Sequence, residues 1–202
     1  RGREYDKTDD TSSNEQAVYG IKDPCYNTTY KPGNYLDPTC TAAVSGTIVD
    51  QSGTGTAPAT TLSATAGGWK ILLDEPDTTN NYMTERVITD TLAVPNGAVF
   101  FTSFKPSSDL CNYGGNSLLW AVRYDTGAAP PAAAMQGKAL MQVSTGAFKE
   151  ITLSSAFSNP GSTRYDGRRL NTPIVGVPPT AQGLSLFTNP PPVKRILQIQ
   201  EK

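Results

Sequence analysis

The sequence contains no histidine among its 202 residues. Without histidine the chain cannot build a Ser-His-Asp triad, a Cys-His pair, a histidine-ligated zinc or iron site, or a histidine-bound haem. Most common hydrolase mechanisms are thereby excluded. A glycosidase carboxylate pair and lysine-based covalent chemistry remain formally open. We therefore expect a protein that is not an enzyme.

Long apolar runs and an excess of one charge are also missing. The longest apolar stretches, such as residues 98–101, are far too short to span a bilayer, so no membrane span is predicted. The 17 basic and 18 acidic residues give a net charge of -1 and are interspersed, which argues against nucleic acid or an anionic membrane as a partner. No signal peptide is visible, but residues 1–3 do not resemble a natural start. We expect processing or truncation rather than a cytoplasmic home.

Cysteine is scarce, with three residues in the chain. Cys25 and Cys40 lie in a segment rich in proline, glycine, asparagine and threonine, which has little core of its own. A disulfide there would restrain the segment by roughly 3 kcal/mol. We predict a Cys25–Cys40 disulfide, with three reduced thiols as the alternative. Cys111 is then either free or paired with a cysteine outside this chain.

Glycine (18) and proline (16) are plentiful and indicate short strands joined by turns. Asn96 and Gly97 stand between two apolar, β-branched and aromatic runs, which is the strongest short sequence pattern for a β-hairpin. A third strand ends at an Asp-Thr-Gly turn, residues 125–127. The predicted strands of this unit are residues 86–94, 98–104, 117–124, and either 138–144 or 148–153. Residues 132–135, bracketed by proline and glycine, are predicted to be a loop.

Four consecutive antiparallel strands are typical of one propeller blade. An earlier partial blade would hold residues 16–22 and 69–73, separated by a long, disulfide-tied loop insertion, residues 23–67, with at most one strand near 46–49. A later partial blade would hold residues 172–176, 183–187 and 193–199. The predicted fold is thus all-β, an incomplete β-propeller of about one full four-stranded antiparallel blade plus two partial blades, with long loops. Residues 1–202 would form the C-terminal part of that domain.

One full and two partial blades cannot close a ring that typically needs 4–8 blades. We expect the chain to pair with material outside it or with copies of itself, because open sheets expose unpaired edges. The alternative is a self-contained β-sandwich of about eight strands with long loops.

Several polar and aromatic side chains are candidate site residues. Asp74, Glu75, Asp77 and Glu85 could be a glycosidase pair, but the sequence does not fix the separation that such catalysis requires. A solvated loop is the favoured interpretation. Trp120 and Tyr124 could form a sugar-stacking platform, although alternate burial in a sheet is the commoner meaning.

A basic group lies in the C-terminal third. It comprises Arg164, Arg168, Arg169, Lys194 and Arg195. A surface that faces a partner protein is one interpretation of this group, and a mixed solvated face is the favoured one.

Three stretches carry a family resemblance. The first reads Gly-Arg-Glu-Tyr-Asp at residues 2–6 and Gln-Ala-Val-Tyr-Gly-Ile-Lys-Asp at residues 16–23. The second reads Gly-Trp-Lys at 68–70, Glu-Arg-Val-Ile-Thr-Asp at 85–90 and Gly-Ala-Val-Phe-Phe-Thr-Ser-Phe-Lys-Pro at 97–106, and continues through Cys111, residues 114–117, Leu119 and residues 125–127. The third comprises residues 168–169, 172–176 and 194–201. Together they resemble the C-terminal β-propeller region of the PilC/PilY family of type IV pilus tip-associated adhesin and biogenesis proteins.

The resemblance implies an extracellular protein at the cell surface or pilus tip of a Gram-negative bacterium, which supports pilus assembly, attachment and twitching. Its implied partners are type IV pilins or minor pilins, the upstream remainder of its own propeller and a surface ligand. The resemblance also implies a calcium-binding loop elsewhere in the family's propeller. Asp6, Asp9 and Asp10 lack the spacing of a calcium loop and are taken as a solvated acidic loop. We expect no cofactor in this chain and place calcium in the upstream part.

Two rival functions remain. The first is a structural subunit of an extracellular filament, in which strand exchange between copies completes the open edges. The second is a quinone-cofactor dehydrogenase, suggested by the blade resemblance. The second is disfavoured because the blades lack a recognisable cofactor-ligating set and because fold does not determine function.

Overall fold

A computed structural model of the chain describes residues 13–26, 39–42, 46–53, 58–109, 114–157, 164–165, 167–176 and 178–188. Within these residues, strands dominate and helical structure is limited to two single turns. The strands are β1 (Ala17–Ile21), β2 (Thr47–Asp50), β3 (Ala66–Leu72), β4 (Arg86–Val87), β5 (Leu92–Val94), β6 (Ala98–Pro106), β7 (Gly115–Arg123), β8 (Gly137–Val143), β9 (Phe148–Thr152), β10 (Ile174–Gly176) and β11 (Pro179–Thr188). The predicted all-β class is confirmed.

The strands form three sheets. The first has the order β1-β3-β2, the central sheet has the order β10-β7-β6-β4 with β5 also on β6, and the third has the order β11-β8-β9. Every pair is antiparallel except β2 with β3, which is parallel. Among the described strands no sheet closes on itself.

The central sheet is covered on both faces, because each face contributes to a separate buried cluster. One cluster joins it to the first sheet and consists of Trp69, Ile71, Leu73, Phe101, Trp120, Val122 and Tyr165. The other joins it to the third sheet and includes Phe100, Leu119, Met141, Val143, Ile151 and Leu153. Strands buried on both faces read as continuous apolar runs rather than as alternation, which explains the sequences of β6 and β7.

The predicted hairpin is confirmed. Val94 pairs with Ala98, and Gly97 adopts a φ of +89°, which favours glycine at this turn. The predicted single strand over residues 86–94 is instead two short strands, β4 and β5. Between them the Thr89 hydroxyl accepts a hydrogen bond from the backbone N–H of Thr102 at 3.0 Å. A side-chain oxygen therefore takes the place of a backbone partner and interrupts the ladder.

Both candidates for the fourth strand are strands, but the prediction that one of them completes the central sheet was wrong. Residues 138–144 and 148–153 pair with each other as β8 and β9 in the third sheet. After β7 the chain reaches Pro130 and Pro131, which have no N–H to extend the central sheet, and then a 3-10 turn, Ala132–Met135, where a loop was predicted. The fourth place in the central sheet is taken by β10, beside β7.

The two flanking units differ in how far they follow the predictions. β1 and β3 pair antiparallel as predicted for the earlier unit, and β2 is the short strand expected inside residues 23–67. Its parallel pairing with β3 was not predicted. The proposed later blade was wrong as a unit, because β10 belongs to the central sheet and β11 to the third. Residues 193–199 lie outside the described residues, and the propeller itself remains a prediction.

Candidate functional site

Charged side chains converge where the central sheet meets the first sheet. Arg169 lies opposite Trp120 of β7, Asp74 follows β3 closely, and Glu85 directly precedes β4. We call this group the Glu85–Arg169 cluster; its members are Asp74, Glu85, Ser103, Lys105, Trp120 and Arg169. Glu85 has no solvent exposure, and Ser103 and Trp120 are also fully buried.

Both carboxylate oxygens of Glu85 are occupied. Oε1 accepts hydrogen bonds from the Trp120 indole N–H at 2.9 Å and from the Ser103 hydroxyl. Oε2 accepts from Arg169 Nη1 at 2.8 Å and from the backbone N–H of Asp74 at 3.2 Å. A buried charge with this many donors is held in one geometry, since losing any of them leaves an uncompensated polar atom.

Asp74 shares the same arginine. Arg169 Nη1 lies 2.7 Å from Asp74 Oδ2, and Lys105 Nζ lies 3.3 Å from the same oxygen. Burial alone would raise the pKa of Asp74, but the positive charges of Arg169 and then Lys105 outweigh it and hold that pKa below its ordinary value of 3.8. Burial likewise opposes the charge of Arg169, and Glu85 and Asp74 together raise its pKa.

Tyr165 closes the cluster from one side. Its ring centroid lies 4.2 Å from the Arg169 guanidinium and 4.9 Å from the Trp120 ring, which it meets edge-on. Its hydroxyl donates a 2.8 Å hydrogen bond to the Leu72 carbonyl. Burial, followed by the negative charges of Asp74 and Glu85, raises the pKa of Tyr165. The phenol therefore stays protonated and acts as a donor that joins the central sheet to the first.

This geometry does not suit a glycosidase. Asp74 and Glu85 contact the same nitrogen of Arg169, so a cation rather than space for a sugar and a water separates them. The prediction of a solvated loop was wrong for Glu85, which is fully buried, and Asp74 is only partly exposed because Arg169 holds its carboxylate. Glu75 is exposed. Asp77 accepts backbone hydrogen bonds from Thr79 and Asn80 and so stabilises a turn.

The predicted solvated basic face was wrong for Arg168 and Arg169, whereas Arg164 keeps 34% of its side chain exposed. Arg169 belongs to the buried cluster, and Arg168 is fully buried. The Arg168 guanidinium donates to backbone carbonyls of Gln51 at 2.5 Å and Gly127 at 3.2 Å, and to that of Arg164. Burial lowers the pKa of Arg168 to about 10, so it remains charged at neutral pH.

Arg168 therefore ties together three parts of the chain that are distant in sequence. Lys194 and Arg195 lie outside the described residues. No pattern in the sequence separates Arg168 and Arg169 from ordinary surface arginines.

The structure contains the Cys25–Cys40 disulfide. Its two Cα atoms are 5.5 Å apart, and it closes a loop of 15 residues just after β1. A covalent closure of this size stabilises by about 3 kcal/mol through loss of chain entropy in the unfolded state. Cys111, whose pairing was left open, lies outside the described residues.

A groove of about 490 Å³ opens between the end of β1, residues 60–64 and the turn after β7. Tyr124 lines it with 63% of its surface exposed. The Trp69 indole N–H donates a 2.9 Å hydrogen bond to the Tyr124 carbonyl and so fixes the backbone at this rim. Gly20 admits that indole, because a Cβ there would lie 2.1 Å from it. Of the two aromatic residues considered for sugar stacking, Trp120 is buried in the core and Tyr124 is exposed at the groove.

A planar ion pair stands beside Tyr124. Arg123 Nε and Nη2 donate to Asp125 Oδ1 and Oδ2 at 2.9 and 2.7 Å, and both side chains remain partly exposed. Hydrogen bonding to Arg123 lowers the pKa of Asp125. Both residues belong to the lining of the groove.

In the part of the chain that the structure describes, no group of three or more histidine, cysteine, aspartate or glutamate residues could hold a metal ion. Asp6, Asp9 and Asp10 lie outside that part. No helix in the described ranges has the length and apolar character needed to cross a membrane.

Among the described residues, the exposed groove and the open sheet edges are the regions that could bind other molecules, whereas the buried charges hold the sheets together. In comparisons with known proteins, no protein family, no curated protein and no solved structure matches this chain.

Proposed function

We propose that this chain is a type IV pilus tip-associated adhesion and pilus-biogenesis module that acts by protein–protein and surface binding rather than by catalysis. In this proposal it forms the C-terminal part of a β-propeller on the outside of a Gram-negative bacterium. Its partners are the upstream remainder of that propeller and type IV pilins or minor pilins. The family resemblance of residues 97–106 and the stretches around them is the source of the assignment.

The observation that carries the proposal is the open edge of β1. Among the described strands β1 pairs with β3 and with no other. Its Tyr19 and Ile21, which alternate along the strand and so share a face, are 59% and 50% exposed. Proteins rarely leave an edge with large apolar side chains uncovered, because it invites pairing with another chain. In a module that functions by binding, the bound partner would cover such an edge.

Two further features support this function. A disulfide suits a protein that folds in an oxidising compartment outside the cytoplasm. The buried carboxylates that hydrolysis would need accept hydrogen bonds from Arg169, Lys105 and other protein donors, which supports a structural role for them.

Cosedimentation with sheared type IV pili from the bacterium that makes the protein tests the proposal. We expect the full chain to pellet with the pili, and Tyr19→Lys to reduce the pelleted fraction at least tenfold by placing a charge on the β1 face. Phe148→Lys is the matched control, because Phe148 is 62% exposed on a different sheet. The proposal fails if the chain stays in the supernatant, or if both variants bind like the natural chain.

A second candidate, the subunit of an extracellular filament, is favoured by the same open edges. In that case copies of the chain would complete one another by strand exchange. Sedimentation velocity without pilins separates the two functions. Growth of the sedimentation coefficient with protein concentration would favour the filament, and a constant value would favour the pilus module.

A further inference from the structure

The groove at Tyr124 combines features that suit one class of ligand. An exposed aromatic ring offers a flat apolar face, on which the C–H face of a pyranose ring packs. The Arg123–Asp125 pair beside it is partly exposed and combines donor and acceptor groups, and sugar hydroxyls can pair with both kinds. The volume of about 490 Å³ falls in the range of small-molecule sites.

The charge of the lining restricts further which class of ligand the groove can bind. Arg123 and Asp125 neutralise each other, and Lys22 directs its ammonium group toward the Ala64 carbonyl, 3.5 Å away. The other polar groups of the lining are hydroxyls, those of Thr60, Thr61, Ser63 and Thr126. The lining therefore carries one net positive charge, that of Lys22, and its hydroxyls are neutral, which suits a neutral or singly acidic sugar better than a strongly charged ligand.

The rim is also held rigidly. Trp69 is almost fully buried and binds the Tyr124 carbonyl, and Gly127 has a φ of +70° next to the indole. This frame fixes the backbone that carries the Tyr124 ring, so no backbone entropy has to be lost there when a ligand stacks on the ring.

We propose that this groove binds a short saccharide of one or two rings, with Tyr124 as the stacking platform and the Arg123–Asp125 pair as the hydroxyl-binding group. The site would give the proposed attachment function its surface ligand, and to that extent the inference rests on that function. The chemistry is testable with sugars alone, so a negative result here leaves the pilus-binding test unaffected.

The chain contains two tryptophans, and they report on different places. The Trp69 indole N–H binds the Tyr124 carbonyl at the groove, whereas the Trp120 indole N–H binds Glu85 in the core. In ¹H–¹⁵N spectra of the full chain, galactose, N-acetylglucosamine, lactose and galacturonic acid are titrated at millimolar concentrations. At least one sugar is expected to move the Trp69 signal in a saturable way and to leave the Trp120 signal in place.

Three variants test whether sugar binding depends on the ring of Tyr124. Tyr124→Ala should weaken sugar binding at least tenfold, and Tyr124→Phe should keep it within about twofold because the ring remains. Phe148→Ala, which removes an equally exposed ring from another sheet, should leave binding unchanged. The inference is overturned if no sugar moves the Trp69 signal, if both indole signals move together, or if Tyr124→Ala binds like the natural chain. A shift caused by extended peptides and by none of the sugars would also overturn it.

Discussion

Arg169 is the residue whose removal should most disturb the fold. Its Nη1 donates to Asp74 at 2.7 Å and to Glu85 at 2.8 Å, and its guanidinium covers the Tyr165 ring. Arg169→Met keeps much of the side-chain volume but leaves Glu85 as a fully buried carboxylate without a cation. Breaking a buried pair from one side costs about 3–5 kcal/mol. Since domains are stable by about 5–15 kcal/mol, this is a large part of the total.

Urea unfolding followed by circular dichroism measures the effect. With a slope of about 2 kcal/mol per M, a loss of about 4 kcal/mol lowers the midpoint by about 2 M urea. Lys138→Met is the matched control, because it breaks an exposed pair with Glu150 and should cost no more than about 1 kcal/mol. If Arg169→Met does not fold, Arg169→Lys keeps the charge, loses the planar fork and should show a smaller loss in the same direction.

The pH dependence of the unfolding free energy tests the role of Arg169 in a second way. Because the pKa of Asp74 is lowered in the folded protein, its contribution is fully present above its ordinary pKa of 3.8 and is lost as pH falls through the lowered value. The difference in unfolding free energy between the natural chain and Arg169→Met should therefore shrink below about pH 4. A difference under about 1 kcal/mol at neutral pH, or one that does not change with acid, would refute the structural role of the cluster.

Two other predictions concern the backbone. Replacing Cys25 and Cys40 together by serine should lower the melting temperature by about 6–12 °C, from about 3 kcal/mol of loop entropy, as measured by calorimetry; an unchanged melting temperature would show that the disulfide does not restrain the cooperative unit. Gly127→Ala should cost clearly more than Gly146→Ala in urea unfolding, because both positions have positive φ but only a Cβ at Gly127 would lie 2.6 Å from the indole beneath it. Equal losses for the two alanine variants would contradict the close packing at that turn.

The parts of the fold that depend on local chemistry could be predicted. Asn96 and Gly97 favour a tight turn through local backbone conformation alone, and the apolar, β-branched and aromatic segments on either side of them form β5 and β6. The identity of the fourth strand of the central sheet depends on which distant segment of the chain pairs with β7. β10 follows β7 by more than fifty residues and competes with β8, which forms its own hairpin. Strand propensity does not distinguish these partners, because either of them fits a half-buried edge.

The buried cluster was missed because its members are far apart in sequence. Charged residues in loops are usually solvated, and nothing near Asp74 or Glu85 indicates that Arg169 will lie between them. One signal was present: Ser103 lies inside an apolar run of a strand that is covered on both faces, where a polar side chain needs a buried partner. Whether Tyr124 is buried or exposed could not be predicted for a different reason. β7 ends at Arg123, and the alternation of side chains along a strand gives no prediction beyond the end of the strand.

The central claim is that the open surface around β1 meets a pilus component. A photo-cross-linking amino acid in place of Tyr19, in the bacterium that makes the protein, tests this claim where the contact would form. After illumination, mass spectrometry identifies the cross-linked peptides. The account predicts peptides from a type IV pilin, a minor pilin or the upstream propeller, and none from these proteins when the probe replaces Phe148. Cross-links at position 19 that join only copies of this chain, or none above the Phe148 background, would contradict it.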